Sequence, residues 1–380
     1  MKIMKPLRFL FILGNFLLLF RNLSFKSRCT RFIIYCLISI DIIITISNSA
    51  VSLYFEIYKH NRIANILQVN ATLLNSITLL LLSIYHSETF KSLLIVLNSN
   101  GDFMKKDEMY LKNLEKKRII FLLVLILYVG VKVVPSWVFP KYVVYAKDLS
   151  FFVNFIFKTN AILWDARLFY EYIFMCTLLY IISEQLECII RSVVRQKRSV
   201  SAMFRVADTS PQQLECNRYI KEISEWSDVF SNIEEAIKLF NRIFRIQFSI
   251  MISLTIFYVT LFLYEMTDHA VHSQLSTIAI LKFFSRHIIF HSQIFVLSRA
   301  GQRLQNNIEQ LKRRVGKIYI LSLLDDDFYK AAQNFLGHIS SGYTRIQAFG
   351  PIDVNMSLAP TFIMLYTSYT ILALQFNNVV

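Results

Sequence analysis

Asn355-Met-Ser-Leu-Ala-Pro-Thr-Phe-Ile-Met-Leu-Tyr-Thr-Ser-Tyr-Thr-Ile-Leu-Ala-Leu-Gln-Phe376 carries no charged side chain and is long enough, as a helix, to cross about 30 Å of hydrocarbon. It is also rich in hydroxyls. Thr361, Leu365, Ser368, Leu372 and Gln375 recur at spacings of four and three, which puts them on one helix face. A polar stripe turned towards lipid leaves hydrogen-bonding groups unpaired, so this face is expected to meet protein or water. Two readings remain open at this point: a helix–helix seam glued by hydroxyls, or one wall of a pore that needs several copies around an axis to enclose water.

Upstream of this segment, apolar runs of similar length lie near 32–58, 66–87, 119–138, 161–188, 246–266 and 276–298. With 354–376 they predict an all-α, polytopic membrane protein of seven transmembrane helices. A chain of 380 residues that is 55% hydrophobic and only 18% charged is too apolar for a soluble protein of this size. Lys and Arg in the segments between the runs number 7, 2, 7, 3, 10, 0, 8 and 0 from the N-terminus onward. Because positive charge is retained on the inner side, the N-terminus is expected in the cytoplasm and the C-terminus outside. The net charge of +15 is thereby assigned to inner loops and not to nucleic-acid binding. A G-protein-coupled receptor requires the opposite orientation, and the last helix has no NPxxY motif.

The apolar stretch Leu7–Phe20, preceded by Lys2 and Lys5, resembles the start of a signal peptide. Arg8 and Asn15 interrupt it and Arg21-Asn22-Leu23-Ser24 is not a small-residue cleavage site, so an interfacial or re-entrant segment is expected. Cys29, Cys36, Cys176, Cys188 and Cys216 all fall outside the outer loops, which argues against a disulfide framework. Asn70-Ala-Thr72 sits too close to the bilayer for ready glycosylation. No internal repeat is visible, and one membrane domain over 1–380 is the simplest organisation.

The inner segments 208–245 and 299–345 are expected to form a helical cytoplasmic base. Ser210-Pro211 fits a helix start. After it Tyr219, Ile223, Trp226, Phe230, Ile233, Ile237, Phe240 and Phe244 alternate by four and three, a heptad seam, and Leu304, Ile308, Leu311 and Val315 repeat the pattern more briefly. Such a seam serves either packing within one subunit or assembly between subunits.

Ser368-Tyr369-Thr-Ile-Leu-Ala-Leu-Gln375-Phe376 resembles the C-terminal signature of insect gustatory receptors: Thr-Tyr, five mainly apolar residues, then Gln-Phe, here with serine for threonine. Phe349-Gly350-Pro351-Ile352-Asp353-Val354-Asn355 is similar to that family's lead-in to its last helix. The motif similarity covers the C-terminal part of the chain, while length, seven spans and inverted topology match throughout. The resemblance implies a ligand-gated, poorly selective cation channel, a homo- or heterotetramer whose last helices surround a central pore, in the plasma membrane of sensory neurons. It places Gln375 and Phe376 at the extracellular constriction and Leu372 and Ser368 deeper along the wall, with Thr361, Leu365 and Tyr369 completing the pore or gate set. An apolar constriction that wets on slight widening would gate such a pore, and without an acidic ring strong ion selectivity is not expected. Thr370 stands where the family's sugar-receptor branch resembles Thr-Tyr-Glu, so a non-sugar, bitter-type tastant is favoured.

Polar and aromatic side chains also gather in the outer halves of the central spans, where bilayer exposure would penalise them. Asn75, Trp137, Trp164, Asp165, Arg167, Tyr170, Glu171, Tyr264, Lys282, Arg286 and His287 are the candidate ligand contacts. The bland readings are a belt role for Trp137, Trp164 and Tyr264, and an ion pair of Glu171 with Arg286 or Lys282. No GxSxG, phosphate loop, HExxH or paired-cysteine motif occurs, so neither an enzyme nor a cofactor or metal is expected. Small-molecule tastant and membrane lipid are the expected partners. The rivals are a secondary transporter, for which inverted repeats are missing, and a metabotropic seven-helix receptor.

Overall fold

The computed structural model describes residues 5–21, 23–55, 63–110, 112–117, 119–120, 123–124, 151–203, 212–272, 277–322, 325–348 and 352–376. Ten named helices follow one another: α1 (Lys5–Phe16), α2 (Arg28–Phe55), α3 (Ile63–Tyr85), α4 (Ser87–Ser99), α5 (Gly101–Lys105), α6 (Phe151–Met203), α7 (Gln212–His272), α8 (Thr277–Leu321), α9 (Asp326–Ser341) and α10 (Leu358–Phe376). The described residues contain no strand beyond one isolated bridge, Gln347 with Asp353. The expected all-α class holds. Of the run 119–138 only four residues are described, so the third span lies almost wholly outside them.

Burial sorts the helices into a centre and a rim. In the apolar stretch of α6, 94% of residues are buried, against 22% for that of α2. A helix apolar on all sides belongs in the interior, which is where α6 sits. α2 is two-faced: Ile34, Ile38, Asp41, Thr45 and Asn48 are buried, while Phe32, Ile33, Ile40 and Ile43 are exposed, the surface a lipid environment would cover.

α6, α7 and α8 all run past their apolar runs. Outside hydrocarbon, charge on a helix costs little, and continued packing sustains the extensions. The heptad seam of α7 is fully used: Tyr219 is 6% exposed and Phe230, Ile237, Phe240 and Phe244 are all at 0%. Its partners belong to the same chain. Tyr219 meets Phe328 and both Trp226 and Phe230 meet Phe335 of α9, while Phe244 meets Phe174 of α6. Leu304, Ile308, Leu311 and Val315 of α8 are buried likewise. Between the two expected uses of the seam, packing within one subunit is the one observed. Ser210 and Pro211 lie outside the described residues, next to the start of α7 at Gln212.

α9 begins where Asp325 accepts a hydrogen bond from the Phe328 amide at 2.8 Å, a side-chain cap for an otherwise unpaired donor. α3 and α4 meet at a 60° bend around His86, and α4 turns its apolar face, Phe90, Leu93, Leu94 and Leu97, inward. The N-terminal segment is packed into the protein: Leu7, Leu10, Leu17, Leu19 and Phe20 are buried. It reverses at Leu18, whose φ of 61° is the left-handed conformation a short turn requires.

Candidate functional site

α10 presents two different faces. Leu358, Phe362, Tyr366 and Thr370, one turn apart, are buried against the rest of the chain. Thr361, Leu365, Ser368, Tyr369, Leu372 and Gln375 are all exposed, with Leu365 at 40% and Leu372 at 49%. The polar stripe is therefore not a seam within this protomer. Thr370 sits on the inward face, away from the stripe. The side chain of Phe376 lies outside the described residues.

The hydroxyls of α10 are oriented by the helix itself. Thr361 Oγ1 donates to Ser357 O at 2.8 Å, Thr367 Oγ1 to Ile363 O at 2.8 Å and Ser368 Oγ to Met364 O at 2.9 Å. With its proton committed to the backbone, each hydroxyl offers an oxygen lone pair outward. Such a surface welcomes a partly hydrated cation better than an anion.

A second cluster links α2, α3 and α6. Arg167 is fully buried, with its guanidinium 2.8 Å from Asp41 Oδ2, its Nε donating to Leu17 O at 2.8 Å and its NH1 to Ser76 Oγ at 3.2 Å. One turn away, Asn160 Nδ2 and Trp164 Nε1 both donate to Thr45 Oγ1, at 3.1 and 3.3 Å. Asn75 Oδ1 is buried with no hydrogen-bond partner among the described residues. The structure thus brings Trp164 and Arg167 together, with Asn75 beside Arg167's partner Ser76.

Tyr170 and Glu171 are tied to the N-terminal segment. The Tyr170 hydroxyl donates to Leu10 O at 2.8 Å, and a Cβ on Gly14 would come within 2.5 Å of that hydroxyl. Glu171 finds a cation among the described residues. Its partner is Arg21, at 2.6 Å, whose guanidinium also donates to Gln247 Oε1 and stacks on Phe244, 4.7 Å from the ring centre. A carboxylate this buried needs a paired cation, and the N-terminal segment supplies Arg21. Trp137 lies outside the described residues, as do the side chains of Asp165, Tyr264, Lys282, Arg286 and His287.

In the base, Glu184 on α6 is fully buried and receives Asn113 Nδ2 at 2.9 Å, the Tyr180 hydroxyl at 3.0 Å and Arg303 of α8 at 3.3 Å. Asp107 pairs with Arg191 at 2.7 Å. Burial alone would raise the Asp107 carboxyl, but the Arg191 guanidinium outweighs it and holds the group below the usual carboxylate range. Glu234 is opposed by burial in the same way and is likewise held low, by Lys238, the Tyr343 amide and His338. No group of three or more metal-binding side chains occurs among the described residues.

Sequence reasoning missed Asp41 and Arg21 as partners. Asp41 had a signal, an ionisable residue inside an apolar run, which marks a buried pair or a functional site.

A family profile described as 7tm Chemosensory receptor matches residues 7–378. Among solved structures, the chain is similar to the insect olfactory receptor OR5 from Machilis hrabei, with a TM-score of 0.66 and 14% identity over 92% of this chain and 90% of that one. The same receptor in complex with eugenol gives a TM-score of 0.68 and 13% identity, covering 92% and 91%. At that identity the likeness speaks for the fold. No curated protein matches the sequence.

Proposed function

This chain belongs to the 7tm chemosensory receptor family, whose members are ligand-gated cation channels, and on that premise we propose that it is a gustatory receptor subunit for bitter-type chemicals. Four copies, alike or mixed with related subunits, surround a pore walled by α10. The subunit resides in the plasma membrane of sensory neurons, N-terminus inside and C-terminus outside.

One observation carries this reading: the polar stripe from Thr361 to Gln375 is exposed on the isolated chain, while Leu358, Phe362, Tyr366 and Thr370 of the same helix are packed. In hydrocarbon an exposed row of hydroxyl and amide oxygens is costly, and copies around a water-filled axis remove the cost. Leu365 and Leu372 alternate with the oxygens, so the wall has apolar rings that exclude water when narrow and polar rungs that receive a cation when wet. The ligand pocket of this proposal opens outward among spans two to six and takes Asn75 and Trp164 as contacts.

The test is patch-clamp recording from cells expressing the subunit alone and with related subunits, under quinine, caffeine, denatonium, eugenol, sucrose and fructose. Currents evoked by a bitter compound, and altered in relative cation permeability by Gln375→Ala, support the proposal. Unaltered permeation in Gln375→Ala removes that residue from the pore wall. Saturable uptake without unitary openings would identify a transporter.

A further inference from the structure

We infer that Asn241 of α7 and Gly301 of α8 are positioning residues for α10, clamping the short hairpin that aims it, and that this clamp sets how readily the channel opens. The inference rests on α10 being the pore wall.

Between α9 and α10 the chain folds back on itself: Ala348 N donates to Ile352 O at 2.9 Å and Val354 N to Ile346 O at 2.8 Å. Ile346, Ala348 and Val354 are buried. Two extended segments joined by so short a pairing are not stable alone, so neighbours must hold them. On one side Asn241 does so with both ends of its amide, Nδ2 donating to Arg345 O at 2.7 Å and Oδ1 accepting from Gln347 N at 3.1 Å. One turn on, Arg245 Nε donates to Ala348 O at 3.2 Å.

On the other side α8 presses backbone against backbone. A Cβ built on Gly301 would lie 1.8 Å from Val354 O, so only glycine permits this approach. The next residue, Gln302, accepts from Met356 N at 3.3 Å.

The clamp ends at Met356, two residues before Leu358 begins α10. From there to Leu372 is about 21 Å at 1.5 Å per residue, so a tilt of about 10° at the clamp moves the Leu372 ring by about 4 Å. That displacement suffices to wet or dry a narrow apolar ring. α7 and α8, which grip the hairpin, also contribute to the proposed ligand pocket. Motion on ligand binding thus reaches the pore through a joint made of backbone contacts, with neither clamping residue lining the pore.

The experiment records single channels, without ligand and under the same six compounds, from the unaltered channel and from Gly301→Ala, Asn241→Leu and Gln302→Ala, with surface labelling of each. The expected result is unchanged unitary conductance and cation permeability in every variant that reaches the surface. The closed–open balance should shift about tenfold in Asn241→Leu, as loss of two hydrogen bonds of ordinary net strength would give. Gln302→Ala removes a single acceptor on a partly exposed side chain, so it is expected to fold and to shift the balance less; it carries the test if the buried-site variants fail to reach the surface. Surface channels of all expressed variants with unaltered open probability would overturn the inference. A Gln375→Ala channel with unaltered permeation would instead overturn the pore reading beneath it.

Discussion

Arg21 and Glu171 form an ion pair at 2.6 Å with side chains 2% and 0% exposed, fastening the N-terminal segment to the central helix from 150 residues away. Removing one partner of such a pair leaves an uncompensated buried charge, at a cost of about 3–5 kcal/mol. Glu171→Leu is therefore expected to lower the thermal midpoint of the detergent-solubilised protein sharply. Arg21→Met combined with Glu171→Leu should recover much of the loss. A double variant as unstable as the single one would mean that the pair is not the contact that matters.

The heptad seam supplies a second prediction. Because Trp226 and Phe230 pack on Phe335 of the same chain, Phe335→Ala should open a cavity in the base and cost about 3–5 kcal/mol. Assembly at a given fraction folded should not change. Light scattering that showed subunits separating while each stayed folded would assign the seam to the subunit interface.

The two faces of α10 should respond differently to truncation. Phe362→Ala and Tyr366→Ala are expected to reduce surface expression and thermal stability, because both side chains are buried in the protomer. Ser368→Ala and Thr361→Ala should leave stability within about 0.5 kcal/mol, as surface changes do, and alter permeation instead. Equal effects on stability from both faces would contradict the division.

Acid should loosen the base. Asp107 and Glu234 have folded-state pKa values below their unfolded ones, so each contributes stability that is complete above the ordinary carboxylate range. That contribution is lost as pH falls through the depressed folded values. The thermal midpoint of the purified protein should therefore drop in the acid range below the usual carboxylate titration, and Asp107→Asn should flatten the profile there. An undiminished acid slope in that variant would remove the Asp107–Arg191 pair from the explanation.

What the sequence made legible was periodic. Apolar runs announce membrane helices, a four–three alternation announces the seam of α7, and the same spacing from Thr361 through Leu365, Ser368 and Leu372 to Gln375 announces the outward face of α10. What it hid was either long-range or locally unmarked. Glu171 has no sequence neighbour that names Arg21, which lies 150 residues away. The 60° bend at His86 carries no proline or glycine, so nothing in Tyr85-His86-Ser87 distinguishes it from continuing helix. The length of α6, from Phe151 to Met203, exceeded its apolar run because Arg191 and Arg195 lie where charge no longer opposes a helix. Asn241 and Gly301 are single polar and small residues inside long helices, significant only once the hairpin they grip is in place.

The central claim is that the exposed stripe of α10 faces an ion path. It is tested most directly by thiol accessibility in a background with Cys29→Ser and Cys36→Ser, which removes the two exposed native thiols. Ser368→Cys, Leu372→Cys and Gln375→Cys should each react with a water-soluble methanethiosulfonate while the channel is open, blocking current, whereas Thr370→Cys on the packed face should not. Reaction at 370 with silence at 368, 372 and 375 in conducting channels would contradict the account.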